Sequence, residues 1–128
     1  MAMKFRYDAG KNIFFITAAG VLTNEDAGLV ADGMLGHRNF SPEARTFHDC
    51  TRVTDYLMSS GFLIKLGQRV KAHGVSANRA FLLGSPIGMG TAIFYSKGLA
   101  SPKARLFYDR KKALDWLNEG MPPAMRIT

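Results

Sequence analysis

The chain has 128 residues, enough for one packed domain, and its 47% hydrophobic content excludes an intrinsically disordered protein. No apolar run reaches the roughly 18 residues that a membrane-spanning helix needs, and the first residues lack the pattern of a signal peptide. A single cysteine, Cys50, excludes both an internal disulfide and a metal site built from cysteines, and these features together predict a cytoplasmic protein.

The net charge of +7 is distributed unevenly along the chain. Residues 1–64 contain 6 Lys and Arg against 7 Asp and Glu, whereas residues 65–128 contain 11 against 3. Excess positive charge on one half is typical of proteins with an anionic partner, although scattered lysines also serve solubility alone. The anionic partner classes are an acidic protein, a membrane surface and nucleic acid. Nucleic acid is the least favoured, because the sequence contains no RNA- or DNA-binding motif.

The first predicted elements are a β-hairpin and a helix. Residues 4–8 alternate aromatic and charged side chains, as in a half-buried strand, and a turn at 10–12 follows. The longer apolar run at 13–19 is typical of a strand buried on both faces. Thr23 and Asp26 have the spacing of a capping box, which predicts a helix that runs to Leu35 and ends at Gly36.

Strands then alternate with helices along the rest of the chain. Further strands are predicted at 45–50, 79–84 and 104–108. Further helices are predicted at about 59–73, at 86–97 and from the cap residue Asp109 through Leu117. The sequence therefore predicts one α/β domain over residues 1–128. In it a β-hairpin is followed by alternating β-α units that form a mostly parallel five-stranded sheet with four helices.

The helix predicted at 86–97 carries no charge from Pro86 to Ser96, and apolar side chains occupy all its sides. An ordinary core helix would explain this pattern. The alternative is that it forms an interface or borders an apolar pocket, since methionine and aromatic residues are enriched at interfaces. We therefore expect a homodimer, a protein partner or an apolar ligand at this helix. The residues expected at the contact are Met89, Ile93, Phe94 and Tyr95.

The helix predicted at 59–73 has a basic surface. Lys65 and Arg69 are four residues apart and share one face, and Lys71 lies further round the helix. These three residues are the expected contact with an anionic membrane surface.

No group of residues has the arrangement of a catalytic site. His48 and Cys50 are adjacent to Asp49, but alternate residues of a strand point to opposite faces, so Asp49 faces away from both. Cys50 is predicted to be a small buried core residue. His37 and His73 lack metal-ligand spacing, and the glycines at 84–90 match no phosphate-binding motif, so neither metal nor cofactor is predicted.

Three stretches of the chain carry a resemblance to a known family. Asp49-Cys50-Thr51-Arg52-Val53-Thr54, followed by Ser59-Ser60-Gly61, resembles the strand end and helix start of the STAS domains of bacterial anti-sigma-factor antagonists. Residues 80–95, from Ala80-Phe81-Leu82-Leu83-Gly84-Ser85-Pro86 to Tyr95, and residues 106–117 resemble the SpoIIAA-like branch of these domains. That branch is similar in fold to the CRAL-TRIO lipid-transfer domains.

The resemblance implies the fold and, in the antagonists, a phosphorylated serine. Ser60 is the phosphoacceptor that it implies, although a serine at this position is also typical of a helix cap. Regulated antagonists have an aspartate directly before the two serines, whereas this chain has Met58, and its loop from Asp49 is one residue longer.

The favoured function is a non-enzymatic regulatory or binding module that contacts a protein partner or an apolar ligand. The alternatives are a peripheral membrane or lipid-binding protein and a phosphoregulated anti-sigma-factor antagonist. A small enzyme is disfavoured because no catalytic arrangement is present.

Overall fold

The computed structural model describes residues 2–84 and 103–128. Their strands are β1 (Met3–Asp8), β2 (Ile13–Leu22), β3 (Arg45–Tyr56), β4 (Arg79–Leu83) and β5 (Ala104–Phe107). Their helices are α1 (Asn24–Leu35), α2 (Ser60–Ala72), α3 (Arg110–Asn118) and a short 3-10 helix (Pro123–Met125). The helix predicted at 86–97, with its expected contact residues Met89, Ile93, Phe94 and Tyr95, lies outside the described residues.

The five strands form one sheet in the order β1-β2-β3-β4-β5. β1 is antiparallel to β2, which confirms the predicted hairpin, and the other three pairs of neighbours are parallel. The sheet is therefore mixed, and the described residues contain three α-helices rather than the four predicted for the whole chain.

Side-chain caps start the three described α-helices, and those at Thr23 and Asp109 are as the sequence predicts. The Thr23 hydroxyl accepts a hydrogen bond from the Asp26 N–H at 3.3 Å, and the Asp26 carboxylate accepts one from the Thr23 N–H, which completes the capping box. Ser59 caps α2, and the Asp109 carboxylate caps α3 by accepting from two backbone N–H groups of the first turn. These local hydrogen bonds satisfy donors that have no partner inside the helix.

The core has one layer on each side of the sheet. On the side of α1 and α2, the buried residues include Phe14, Ile16, Ala18, Val30, Cys50, Leu66 and Leu83. On the side of α3, they include Ile13, Phe47, Ala80, Leu82, Ala113, Trp116 and Leu117. Helix α3 therefore packs alone on its side of the sheet among the described helices.

Strand β3 is longer than predicted, because it continues from Cys50 to Tyr56 through the residues that were expected to form a loop. The pairing of β2 with β3 shifts between Thr17–Asp49 and Ala19–Arg52, which inserts one extra residue into β3. Such a bulge breaks the strict alternation of side chains along a strand.

Candidate functional site

Helix α3 leaves part of its side of the sheet uncovered. Five strands spaced about 4.8 Å apart are wider than one helix, whose diameter with side chains is about 10 Å. The strand β2 shows the consequence. Ile13 and Phe14 are buried on its two faces, but Thr17 and Ala19 are exposed on the α3 side. The prediction of a strand buried on both faces thus holds only for the first half of β2.

Among the described residues, the uncovered area is an open groove of about 540 Å³ over the middle of β2 and β3, since its lining includes residues 17–19 of β2 and Asp49, Thr51 and Arg52 of β3. The groove is lined by Ala2, Lys4, Thr17, Ala18, Ala19, Asp49, Thr51, Arg52 and Arg110. Three of these nine residues are cationic and one is acidic, so the groove has a net positive charge.

The acid of the groove, Asp49, is held by three hydrogen bonds. One carboxylate oxygen accepts from the Thr51 N–H at 3.1 Å and from the Thr51 hydroxyl at 2.7 Å. The other oxygen accepts from Nη2 of Arg110 at 2.6 Å. Partial burial alone would raise the pKa of Asp49, but the bonds from Thr51 and Arg110 outweigh it and lower the pKa. Asp49 is therefore a fixed carboxylate.

Arg110 and Arg6, on this side of the sheet, lie over aromatic rings of β3 and β2. The Arg110 guanidinium carbon is 5.4 Å from the centre of the Phe47 ring, and that of Arg6 is 4.1 Å from the centre of the Phe15 ring. The two phenylalanines are neighbours in the sheet, with ring centres 6.2 Å apart. Cation–π contacts of this kind restrict the guanidinium while leaving its N–H groups free to bind anions.

The basic surface predicted on α2 differs from the groove in its location, and one of its three positive charges is neutralised. Lys65, Arg69 and Lys71 are all exposed, but Arg69 forms a salt bridge with Asp32 of α1. The carboxylate offsets one of the three positive charges. This surface lies on the side of α1 and α2, so it is separate from the groove.

Both serines, Ser59 and Ser60, lie at the start of α2, but only one of them caps the helix. The cap is Ser59, whose hydroxyl accepts from the Phe62 N–H at 3.2 Å. Ser60, the predicted cap, is the first residue of the helix and is exposed. The prediction of a cap at Ser60 is thus wrong by one residue, and phosphorylation of Ser60 stays a prediction.

The structure places His48 and Cys50 on the α1 and α2 side of the sheet and Asp49 on the other side, as predicted. His48 is buried and stacks on Phe81 at 4.1 Å between ring centres, and Cys50 lies in the core on the α1 and α2 side. Burial and the charge of Arg79 lower the pKa of His48 to about 3, and burial raises the pKa of the Cys50 thiol to about 12. A histidine and a thiol in these states are unsuited to nucleophilic catalysis.

Outside the groove, the described regions contain no metal-binding cluster, and the cavity beside His48 is small. Within residues 2–84 and 103–128 no three His, Cys, Asp or Glu side chains are grouped so that they could hold a metal ion. A cavity lined by His48, Thr46 and apolar residues of α1 and α2 has a volume of about 30 Å³, which suits a water molecule rather than a lipid.

Sequence reasoning did not find the groove. The alternation of Lys4 and Arg6 with aromatic residues predicts that both cations point away from the core, which is the one local signal. Bringing Lys4, Arg52 and Arg110 together requires the strand order, the bulge in β3 and the position of α3.

Across the part of the chain that the structure describes, no helix is both long and apolar enough to cross a bilayer.

No protein-family profile matches the sequence, and no curated protein is significantly similar to it. Among solved structures, the chain is similar to an uncharacterized protein of the DUF3478 family from Shewanella loihica PV-4, which has a SpoIIAA-like fold. The similarity has a TM-score of 0.59 at 21% sequence identity and covers 91% of this chain and 94% of the other. This similarity establishes the fold alone and confirms what the sequence resemblance implies: the chain is a domain with a SpoIIAA-like fold.

Proposed function

We propose that this domain is a non-enzymatic binding module that binds an acidic protein partner in the groove beside α3. The observation that carries the proposal is the grouping of Lys4, Arg52 and Arg110 around one concave surface, where the single acid, Asp49, is already bonded to Thr51 and Arg110. Opposite charges on two surfaces steer their association and fix their register.

The shape of the site favours a protein segment over a lipid bilayer. The groove is concave, and the side chains of Thr17 and Ala19, which line it, are small. A side chain of a partner can enter such a groove, whereas a membrane surface is contacted best by convex basic faces. The exposed face of α2 with Lys65 and Lys71 is the competing surface for anionic lipid.

The test compares two variants that remove the same charge. Lys4→Gln/Arg52→Gln removes two positive charges from the groove, and Lys65→Gln/Lys71→Gln removes two from α2. Binding to poly-L-glutamate is measured by calorimetry at low and physiological ionic strength. We expect the groove variant to bind about tenfold more weakly than the wild type, and the α2 variant to bind almost as tightly.

Three results would overturn the proposal. The first is a wild-type protein that does not bind poly-L-glutamate. The second is an equal loss in both variants, which would assign the binding to net charge alone. The third is binding to vesicles containing phosphatidylserine that exceeds binding to poly-L-glutamate and depends on Lys65 and Lys71, which would favour a membrane surface.

A further inference from the structure

The three cations of the groove differ in how firmly they are held. Arg110 is fixed by its bond to Asp49 and its position over Phe47, and it begins α3 next to the cap residue Asp109. Lys4 and Arg52 form no ion pair within residues 2–84 and 103–128. An immobilised side chain loses less conformational entropy when it binds a ligand.

The Arg110 guanidinium has donors left for a ligand. Its bond to Asp49 uses one of the two N–H groups of Nη2, and the side chain is 56% exposed. Within the described residues, Nε and Nη1 have no hydrogen-bond partner, and Arg110 lines the groove. The second N–H group of Nη2 therefore forms a free edge of the guanidinium with either Nε or Nη1, and such an edge matches the two oxygens of a carboxylate.

Asp49 is held in place, so it does not compete with a ligand for the remaining N–H groups of Arg110. Its second oxygen is held by both the backbone and the hydroxyl of Thr51, which belongs to the same strand. Asp49 therefore fixes the direction of the Arg110 guanidinium through its bond to Nη2, much as a carboxylate fixes the direction of a metal-bound histidine.

We infer that Arg110 recognises a carboxylate of the acidic partner through two parallel hydrogen bonds, and that Asp49 is the positioning residue that sets the direction of its guanidinium. The inference rests on the proposed function, because it names the contact that selects the partner's chemistry in the same groove. Lys4 and Arg52 supply attraction without defined geometry.

The experiment uses variants that keep the charge of the groove. Arg110→Lys retains the positive charge but loses the planar fork, and Arg38→Lys, in the exposed loop after α1, is its matched control. We expect Arg110→Lys to weaken binding of poly-L-glutamate about tenfold and Arg38→Lys to leave it within about twofold of the wild type. Circular dichroism and urea unfolding of each variant verify that the fold is retained.

The affinity of Asp49→Asn for poly-L-glutamate distinguishes a positioning role of Asp49 from a purely electrostatic one, because the two roles predict changes of opposite sign. The substitution removes a negative charge, so simple attraction predicts tighter binding to poly-L-glutamate. A positioning role predicts weaker binding, because the asparagine amide cannot hold the Arg110 fork in place. Tighter binding by Asp49→Asn, or unchanged binding by Arg110→Lys, would overturn the inference. If Lys4→Gln/Arg52→Gln still weakened binding, the proposed function would stand without the inference about Arg110 and Asp49.

Discussion

Asn24, the first residue of α1, is bonded to Ser59, the residue that caps α2. The Asn24 side-chain oxygen accepts a hydrogen bond from the Ser59 N–H at 3.1 Å, although the two residues are 35 positions apart. The Ser59 hydroxyl in turn accepts from the Phe62 N–H. The starts of the two helices on this side of the sheet are thereby tied to each other.

Removing the Ser59 hydroxyl should lower the free energy of unfolding, because that hydroxyl caps α2. Ser59→Ala should reduce the free energy of unfolding by about 1 kcal/mol, the usual cost of a lost cap. Ser60→Ala is the control and should change it by only a few tenths, because Ser60 is an exposed first-turn residue. Urea unfolding of both variants measures the difference. An equal loss in the two would show that the hydroxyl of Ser59 is not the stabilising group.

Arg45 joins three segments that are distant in sequence. It is 2% exposed, and its guanidinium donates to the backbone carbonyls of Lys11, Leu117 and Met125 at 2.6 to 2.8 Å. Arg45→Met should therefore lower the free energy of unfolding by about 3 kcal/mol, since it leaves three carbonyls without their charged donor.

The control for this change is Arg38→Met, because Arg38 is exposed in the loop after α1. That substitution should alter stability by less than about 0.5 kcal/mol. Both values come from chemical denaturation at neutral pH. A loss below 1 kcal/mol in Arg45→Met would mean that water replaces the guanidinium at little cost.

Two glycines should respond to alanine with opposite signs. A Cβ on Gly84 would lie 2.5 Å from the backbone oxygen of Thr51, so Gly84→Ala should destabilise the protein by about 2 kcal/mol. A Cβ on Gly61 in α2 would meet nothing within 4 Å, so Gly61→Ala should stabilise it by about 0.5 to 1 kcal/mol. Thermal unfolding of the two variants provides the check, and a neutral Gly84→Ala would contradict the close approach of the two backbones.

The elements that the sequence predicts well are those with local signals. Thr23, Ser59 and Asp109 each start a helix because their side chains bond to backbone groups within the next three residues. The end of β3 has no such signal. Residues 51–56 are mostly polar, and the strand continues through them because Val53 and Tyr56 pack on the core formed with α1.

The groove could not be predicted, because its residues come from four separate segments. A one-residue bulge places both Thr51 and Arg52 at the groove, whereas regular alternation would place them on opposite faces. The Asp49–Arg110 bond also spans 61 positions and depends on the docking of α3. Periodicity along a sequence contains no information on contacts of this range.

The prediction of a homodimer rests on the sequence of residues 86–97, since these lie outside the described residues. Phe94→Lys should place a charge in the expected contact and convert a dimer to a monomer. Leu29→Lys is the control, because Leu29 of α1 is an exposed apolar residue and receives the same charge. Sedimentation velocity over a range of concentrations distinguishes the two species. A wild-type protein that is monomeric throughout that range would exclude the dimer.

His48 should make the fold less stable in mild acid. Its pKa is about 3 in the folded protein, because burial and the nearby charge of Arg79 disfavour the protonated ring, whereas an unfolded histidine has a pKa near 6.5. The unfolded chain therefore binds a proton that the folded chain rejects. The stability that neutral His48 provides is complete above pH 6.5 and is lost as the pH falls below it. The slope approaches about 1.4 kcal/mol per pH unit.

Measurements between pH 6.5 and 5 isolate this effect, since Asp49, whose pKa is lowered, remains ionised there. His48→Phe, which can still stack on Phe81, should abolish most of the slope of unfolding free energy against pH. His73→Gln, at an exposed position, should retain it. An unchanged slope in His48→Phe would show that another group is responsible for the acid sensitivity.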